Sequence, residues 1–230
     1  MIDIHTHILP HVDDGSPDME TSISLIESEI QQGVTDVFVT PHFYRYREYL
    51  SSVENNTAIF EEIKAEVKKR GLKVNLYLGN EIYYDLDTLK KLEGKKVATL
   101  NGSKYVLIEF SLTRETEDIG DAINDLTAKG YVPIIAHPER YPYLQSLNDY
   151  QIMRRMGAKI QVNSGSLTGY YGKKIKKFVW KLLKNDLVDF VASDIHDFRM
   201  STLKVSYDMV AKLFGLERAN KIYNNKEIFE

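Results

Sequence analysis

The sequence predicts an α/β fold in which parallel strands are covered by helices, and three observations carry that expectation. Short β-branched runs alternate with longer amphipathic stretches along all 230 residues. The stretches between runs are long enough to be the crossovers that parallel neighbours require. No linker, low-complexity tract or internal repeat interrupts the alternation, so one domain over residues 1–230 is expected. Seven such units favour a barrel over an open sheet, a choice that spacing alone leaves open.

The first strand is expected at residues 2–5, followed by a helix over 19–32 that stops at Gly33. A second strand at 36–40 precedes a helix over 53–70 ending before Gly71, and a third strand follows at 74–78. Residues 85–102 fit no regular helix and are expected to hold a helical turn or a short hairpin. The fourth strand, at 105–110, leads to a helix over 117–129 and Gly130; the fifth, at 132–136, leads to a helix over 147–156 and Gly157. A sixth strand at 160–163 and a seventh at 189–193 are followed by helices over 173–184 and 203–214. Glycine suits such stops because it takes the left-handed position after a helix without a Cβ clash.

Thirty basic side chains face 33 acidic ones for a net charge of −3. The basic residues read as spread along the chain rather than gathered in a block, which argues against a dedicated nucleic-acid binder. There is no cysteine. Disulfides, thiolate zinc sites and a cysteine nucleophile are therefore excluded, and any metal must be held by nitrogen and oxygen. Apolar runs are only about four to six residues long against the roughly 20 needed to span a bilayer, and no secretion signal opens the chain. A cytoplasmic protein without stable membrane insertion is expected.

Five of the six histidines stand in or just beyond the C-terminal end of an apolar run: His5, His7, His42, His137 and His196. In a barrel these ends converge on the face that carries active sites. His5 and His7 form an i, i+2 pair that points to one side of an extended chain, and Asp194 and His196 repeat the spacing. Glu81 and Glu109 follow apolar runs where an unpaired carboxylate would be costly to bury. Asp14 lies in a polar turn where a structural role is the simpler reading. Five imidazoles and four carboxylates exceed the three or four protein groups that one catalytic ion takes, so about two or three ions are implied. Four carboxylates against three divalent ions leave net positive charge, which suits a phosphate dianion. Arg140 lies three residues past His137, within reach of a phosphate at the same rim, an ordinary surface ion pair being the equal alternative. The loop of Tyr44, Arg45, Tyr46, Arg47 and Tyr49 is either the pocket mouth or solvated surface.

The motifs Asp3-Ile4-His5-Thr6-His7, Asp13-Asp14-Gly15, Thr40-Pro41-His42, Gly79-Asn80-Glu81, Ile108-Glu109-Phe110, His137-Pro138-Glu139-Arg140, Asn163-Ser164-Gly165 and Ser193-Asp194-Ile195-His196 together resemble the polymerase and histidinol phosphatase (PHP) superfamily. More narrowly they are similar to the manganese-dependent protein-tyrosine phosphatases of Gram-positive capsule and exopolysaccharide clusters, in order and spacing from Met1 to about Phe229. The resemblance implies a distorted (β/α)7 TIM-like barrel holding three divalent ions, manganese first, with zinc, iron or magnesium as alternatives. It implies that His5, His7, Glu109 and Asp194 hold one ion. Glu109 would bridge to a second held by Glu81 and His137, while Asp14, His42 and His196 hold a third. His11 has no place in that scheme. It also implies phosphate contacts from Arg140 and from a second arginine seven residues after Asp194, where this chain has Ser201; Arg199 is the nearest substitute. The implied reaction is hydrolysis of phosphotyrosine by a metal-activated hydroxide, on a bacterial tyrosine kinase that controls polysaccharide export, with no nucleic-acid partner. A small-molecule phosphomonoesterase such as a histidinol-phosphatase is the rival, with a nuclease or a C–N bond hydrolase further off.

Overall fold

The computed structural model describes residues 1–113 and 118–229. The chain opens with β1 (Ile2–Thr6), α1 (Met19–Gln31), β2 (Asp36–Val39), β3 (His42–Phe43) and α2 (Val53–Lys69). It continues through β4 (Asn75–Leu78), β5 (Glu81–Tyr83), α3 (Thr88–Glu93), β6 (Tyr105–Glu109) and α4 (Ile119–Ala128). Then come β7 (Val132–Ala136), α5 (Leu147–Arg155), β8 (Lys159–Asn163), α6 (Ser164–Thr168) and α7 (Lys173–Lys184). The last elements are β9 (Phe190–Ala192), α8 (Leu203–Phe214) and α9 (Leu216–Tyr223). Residue 117, where a helix was expected to begin, lies outside the described residues, and α4 starts at Ile119 behind an Asp118 cap whose side chain accepts from Gly120 and Asp121 N–H. Residues 85–102 hold a short helix and a 3-10 turn.

Among the described residues the pairings between these strands are all parallel, in two sheets of order β1-β2-β4 and β3-β5-β6-β7-β8-β9. β2 and β4 match the expected second and third strands, and each is followed by a short further strand that was not expected, β3 and β5. Pro41 separates β2 from β3, and Gly79-Asn80 separates β4 from β5. Proline has no N–H to give a ladder, yet the neighbours stay together. Gly79 N–H donates to the Val39 carbonyl at 2.9 Å, Glu81 N–H to that of Pro41 at 3.2 Å, and the Asn80 amide to the same Pro41 oxygen at 3.0 Å. At the other edge Asp194 N–H donates to His5 O and His7 N–H to Ile195 O, both at 3.0 Å, so β1 meets the chain leaving β9.

Both strand faces are covered. Ile4, Phe38, Leu107, Ile134 and Ala192 belong to one buried cluster, while their neighbours Val37, Val106, Ile108, Ile135 and Val191 pack on the other side with the helices. This period-two alternation aims the site. Glu109 stands two residues beyond Leu107 and Asp194 two beyond Ala192, so each continues a row that begins in the first cluster. His42 and Glu81 are direct register partners across β3 and β5. β1 carries a register shift between Asp3 and Thr6, an irregularity that re-aims side chains.

The candidate metal centre

Eight of the nine predicted ligands are buried, and Asp14 is part-exposed at the rim. The structure brings all nine together, with Glu81 at the middle. Its Oε2 lies 3.1 Å from His5 Nε2, 3.2 Å from His7 Nε2 and 3.0 Å from His42 Nδ1, and its Oε1 lies 3.0 Å from His137 Nε2. Glu109 stands slightly further out, 3.7 Å from His137 and 3.8 Å from His42. Asp194 Oδ1 faces His5, His7 and His196 at 3.7, 3.6 and 3.5 Å. Asp14 Oδ1 sits 3.6 Å from His42 Nε2 and 3.7 Å from His196 Nε2.

Three ligand groups have donor atoms mutually within 4.8 Å: His7 with Asp14, His42 and His196; His5 with His7 and Glu81; and His42 with Glu81 and Glu109. The first contains the whole trio expected for one ion. Glu81 belongs to both of the other two. His11 is exposed and belongs to none of these groups.

The donor set fits divalent cations. Glu81 Oε2, Glu109 Oε2, Asp14 Oδ1 and His42 Nδ1 are buried among these groups without a well-formed hydrogen bond. Buried polar atoms are ordinarily paired, so four such atoms at one point mark a place built for something more than hydrogen bonds. Imidazole and carboxylate without thiolate suits manganese, iron or zinc.

Electrostatics sharpen the picture. Burial pushes the Glu109 carboxyl up to about 7, with Glu81 adding to the rise. Burial also works against the charged form of Glu81, but His5 and His42 outweigh it and hold that carboxyl well below its usual range. His137 is driven down to about 4 by burial and by Arg140, whereas His42 rises to about 9 because Glu81 overcomes its burial. Two ligands also carry backbone strain. His137 has φ +35° and Asp194 φ +53°, left-handed values that non-glycine residues rarely adopt and that gather at functional sites.

Several supporting residues were not singled out from sequence. Asp13 Oδ2 accepts from His7 Nδ1 and from the His42 N–H, both at 2.8 Å, and Oδ1 accepts from Gly15 N–H at 3.0 Å. Gln161 Oε1 lies 3.0 Å from His5 Nδ1. Each contact puts the imidazole proton on Nδ1 and frees Nε2 for a ligand bond. The signal for Gln161 and Asn163 was their i, i+2 placement at the end of the sixth strand. Gly15 admits no side chain, since a Cβ there would lie 2.1 Å from the His7 carbonyl oxygen.

Arg140 and Arg199 both reach the centre. Arg140 Nη1 donates to Asp194 Oδ2 at 3.2 Å, and Arg199 Nη1 pairs with the same oxygen and donates to the Asp194 carbonyl at 2.8 Å. The Tyr171 ring lies 4.7 Å from one guanidinium carbon and 5.7 Å from the other. Ser201 is buried against Glu29 instead and does not line the pocket. The pocket itself has a volume of about 190 Å³, and Leu112, Phe198 and Arg47 join the ligands and arginines around it. Tyr49 stacks on His42 at 5.9 Å, and Tyr44 on Tyr83 at 4.0 Å, so the basic-aromatic loop lies at the mouth.

Fold and site together define an α/β protein with a candidate multi-metal centre at the C-terminal ends of its parallel strands. The family described as capsular polysaccharide synthesis, CpsB/CapC, matches residues 1–230. The chain is 37% identical to the tyrosine-protein phosphatase CpsB of Streptococcus agalactiae, covering 97% of this chain and 95% of that one. It is 34% identical to the tyrosine-protein phosphatase YwqE of Bacillus subtilis, covering 99% and 91%. Among solved structures, those of YwqE from Bacillus subtilis and CpsB from Streptococcus pneumoniae, metal-dependent tyrosine phosphatases, match with a TM-score of 0.91 and 31% identity over 99% of this chain and 93% of the other. The chain belongs to the CpsB/CapC family.

Proposed function

We propose that this chain is a metal-dependent protein-tyrosine phosphatase, a phosphoric monoester hydrolase that releases phosphate from phosphotyrosine in proteins. The convergence of nine imidazoles and carboxylates on one point, with four buried atoms left without a well-formed hydrogen bond, is the observation that carries the reading. The relatives' shared activity supports it. We assign His5, His7, Asp14, His42, Glu81, Glu109, His137, Asp194 and His196 as the residues that would hold three divalent ions, manganese first.

Divalent cations held there supply positive charge opposite the phosphoryl oxygens and let water act as a nucleophile near neutral pH. The chain's own residues do the rest. Asp13 and Gln161 fix His7 and His5 with Nε2 facing inward. Arg140 and Arg199, stacked against Tyr171, neutralise phosphoryl oxygens as charge spreads over them in the transition state. A tyrosyl leaving group has a pKa of about 10, so its protonation can come late, and no side chain here is assigned as its acid. Tyr49, Phe198 and Leu112 give the aryl ring apolar contact at the mouth. The partner assigned is a bacterial tyrosine kinase of polysaccharide export. The bonds joining β1 to the exit of β9, and β2/β3 to β4/β5, support one distorted (β/α)7 barrel over residues 1–230.

Steady-state turnover of a phosphotyrosine peptide and of histidinol phosphate, side by side with manganese present, tests the assignment. The peptide is expected to be the better substrate in kcat/KM by at least about tenfold. A preference for histidinol phosphate would place the chain among small-molecule phosphatases instead.

A further inference from the structure

Helix α7 carries six lysines and no acidic residue in twelve positions, in a chain whose net charge is −3. The basic residues are therefore gathered here rather than spread evenly along the chain. Val179, Leu182 and Leu183 face the core, while Lys173, Lys174, Lys177, Lys181 and Lys184 are all exposed. Spacings of four, four and three from Lys173 to Lys184 keep these side chains within about a quarter turn, with Lys174 beside them. Among the described residues none of the five makes an ion pair.

The fold gains nothing from this stripe. Like charges at i, i+3 and i, i+4 repel along a helix. Lys173 and Lys174 also stand at the helix N-terminus, where the backbone dipole disfavours cations and Gly172 offers no side-chain cap. An anionic surface laid along α7 would relieve both penalties at once.

Alongside the stripe lies exposed apolar surface. Trp180 of α7 stacks on Phe214 with ring centroids 6.0 Å apart. Next to Phe214, at the corner between α8 and α9, Leu213 is 63% and Leu216 65% exposed. A row of lysines beside protruding leucines is the pattern that an anionic lipid bilayer rewards, lysines at the headgroups and leucines at the acyl boundary. A nucleic-acid backbone would reward the lysines alone.

We propose that α7 and the α8–α9 corner form a peripheral docking face for an anionic membrane surface. The stripe begins close to the site, since Tyr171, which stacks on Arg140, lies two residues before Lys173. The inference stands on surface charge and exposure and does not depend on the phosphatase reading.

Co-sedimentation of the full chain with vesicles of phosphatidylcholine alone, or mixed equally with phosphatidylglycerol, tests it. Binding is expected only to the mixed vesicles and is expected to weaken as salt is raised. The triple variant Lys173→Glu/Lys177→Glu/Lys181→Glu should lower partitioning by at least about 100-fold, at roughly fivefold per lysine before reversal is counted. Leu213→Ser/Leu216→Ser should weaken it at unchanged charge. Circular dichroism and turnover of p-nitrophenyl phosphate should match the parent in both variants. Absence of binding to mixed vesicles, or undiminished binding by the folded triple variant, overturns the proposal. Equal affinity for duplex DNA or polyglutamate, with no effect of the leucine change, assigns the face to another polyanion and overturns it too.

Discussion

At the residue scale, Asp194 joins two halves of the site. One carboxylate oxygen faces three imidazoles, and the other takes Arg140, Arg199 and the Asn163 amide, the last at 2.6 Å. The guanidiniums are thus held beside the cation cluster before any phosphate arrives, which lowers the ordering cost of binding. Asp13 has a comparable role on the opposite side, where one carboxylate orients His7 and pins the backbone of His42. Asp13→Ala should therefore weaken manganese affinity by about 10- to 100-fold, measured by calorimetric titration of the metal-stripped protein, with little change in far-ultraviolet circular dichroism. Unchanged affinity would remove Asp13 from the site. Eight of the ligands were legible in sequence because each stands in or just beyond an apolar run, Asp14 only through the motif around it, and the residue that positions two of them was not. Asp13 meets the His42 N–H across 29 positions of chain, a contact that no local spacing reports.

At the scale of elements, α1 sets an acidic side chain inside the molecule. Glu29 is buried with neither carboxylate oxygen hydrogen-bonded in well-formed geometry, close to Asp3 of β1 and to Ser201. Burial first, and then Asp3, push its carboxyl well above the ordinary value of 4.5. A carboxyl raised on folding contributes stability that is fully present below that ordinary value and is lost as pH rises through the folded one. Glutamine cannot ionise, so Glu29→Gln should melt several degrees above the parent at pH 8, with the gap closing toward pH 4 in differential scanning calorimetry. A gap that stays constant with pH would contradict that account. Helical periodicity located α1 closely, yet could not show that Glu29 points inward, because sequence assigns glutamates to solvent by default. The breaks at Pro41 and Asn80 were equally hidden. Each interrupts a ladder without separating the neighbours, since the Pro41 carbonyl accepts from both the Glu81 N–H and the Asn80 side-chain amide.

Over the whole molecule, parallel order and the burial of both strand faces followed directly from alternating strands and amphipathic segments. Helix α9 escaped that reading because Gly215, with φ +90°, is at once the stop of α8 and the start of α9. The lysines of α7 were visible as letters, but their gathering on one face becomes apparent only when the helix is set against the core. Three levels of organisation meet at the strand ends: apolar rows that lead outward to ligands, loops that return Asp13 and Asp14, and the tyrosine-backed pair of arginines. The account rests on these groups binding cations together. Metal content of the chelator-stripped, manganese-reconstituted chain, read by plasma mass spectrometry after gel filtration, tests this most directly. More than one manganese per chain is predicted, with most of it lost in a folded Glu81→Gln variant; a parent chain that retains no metal, or a variant that retains as much, would contradict the account.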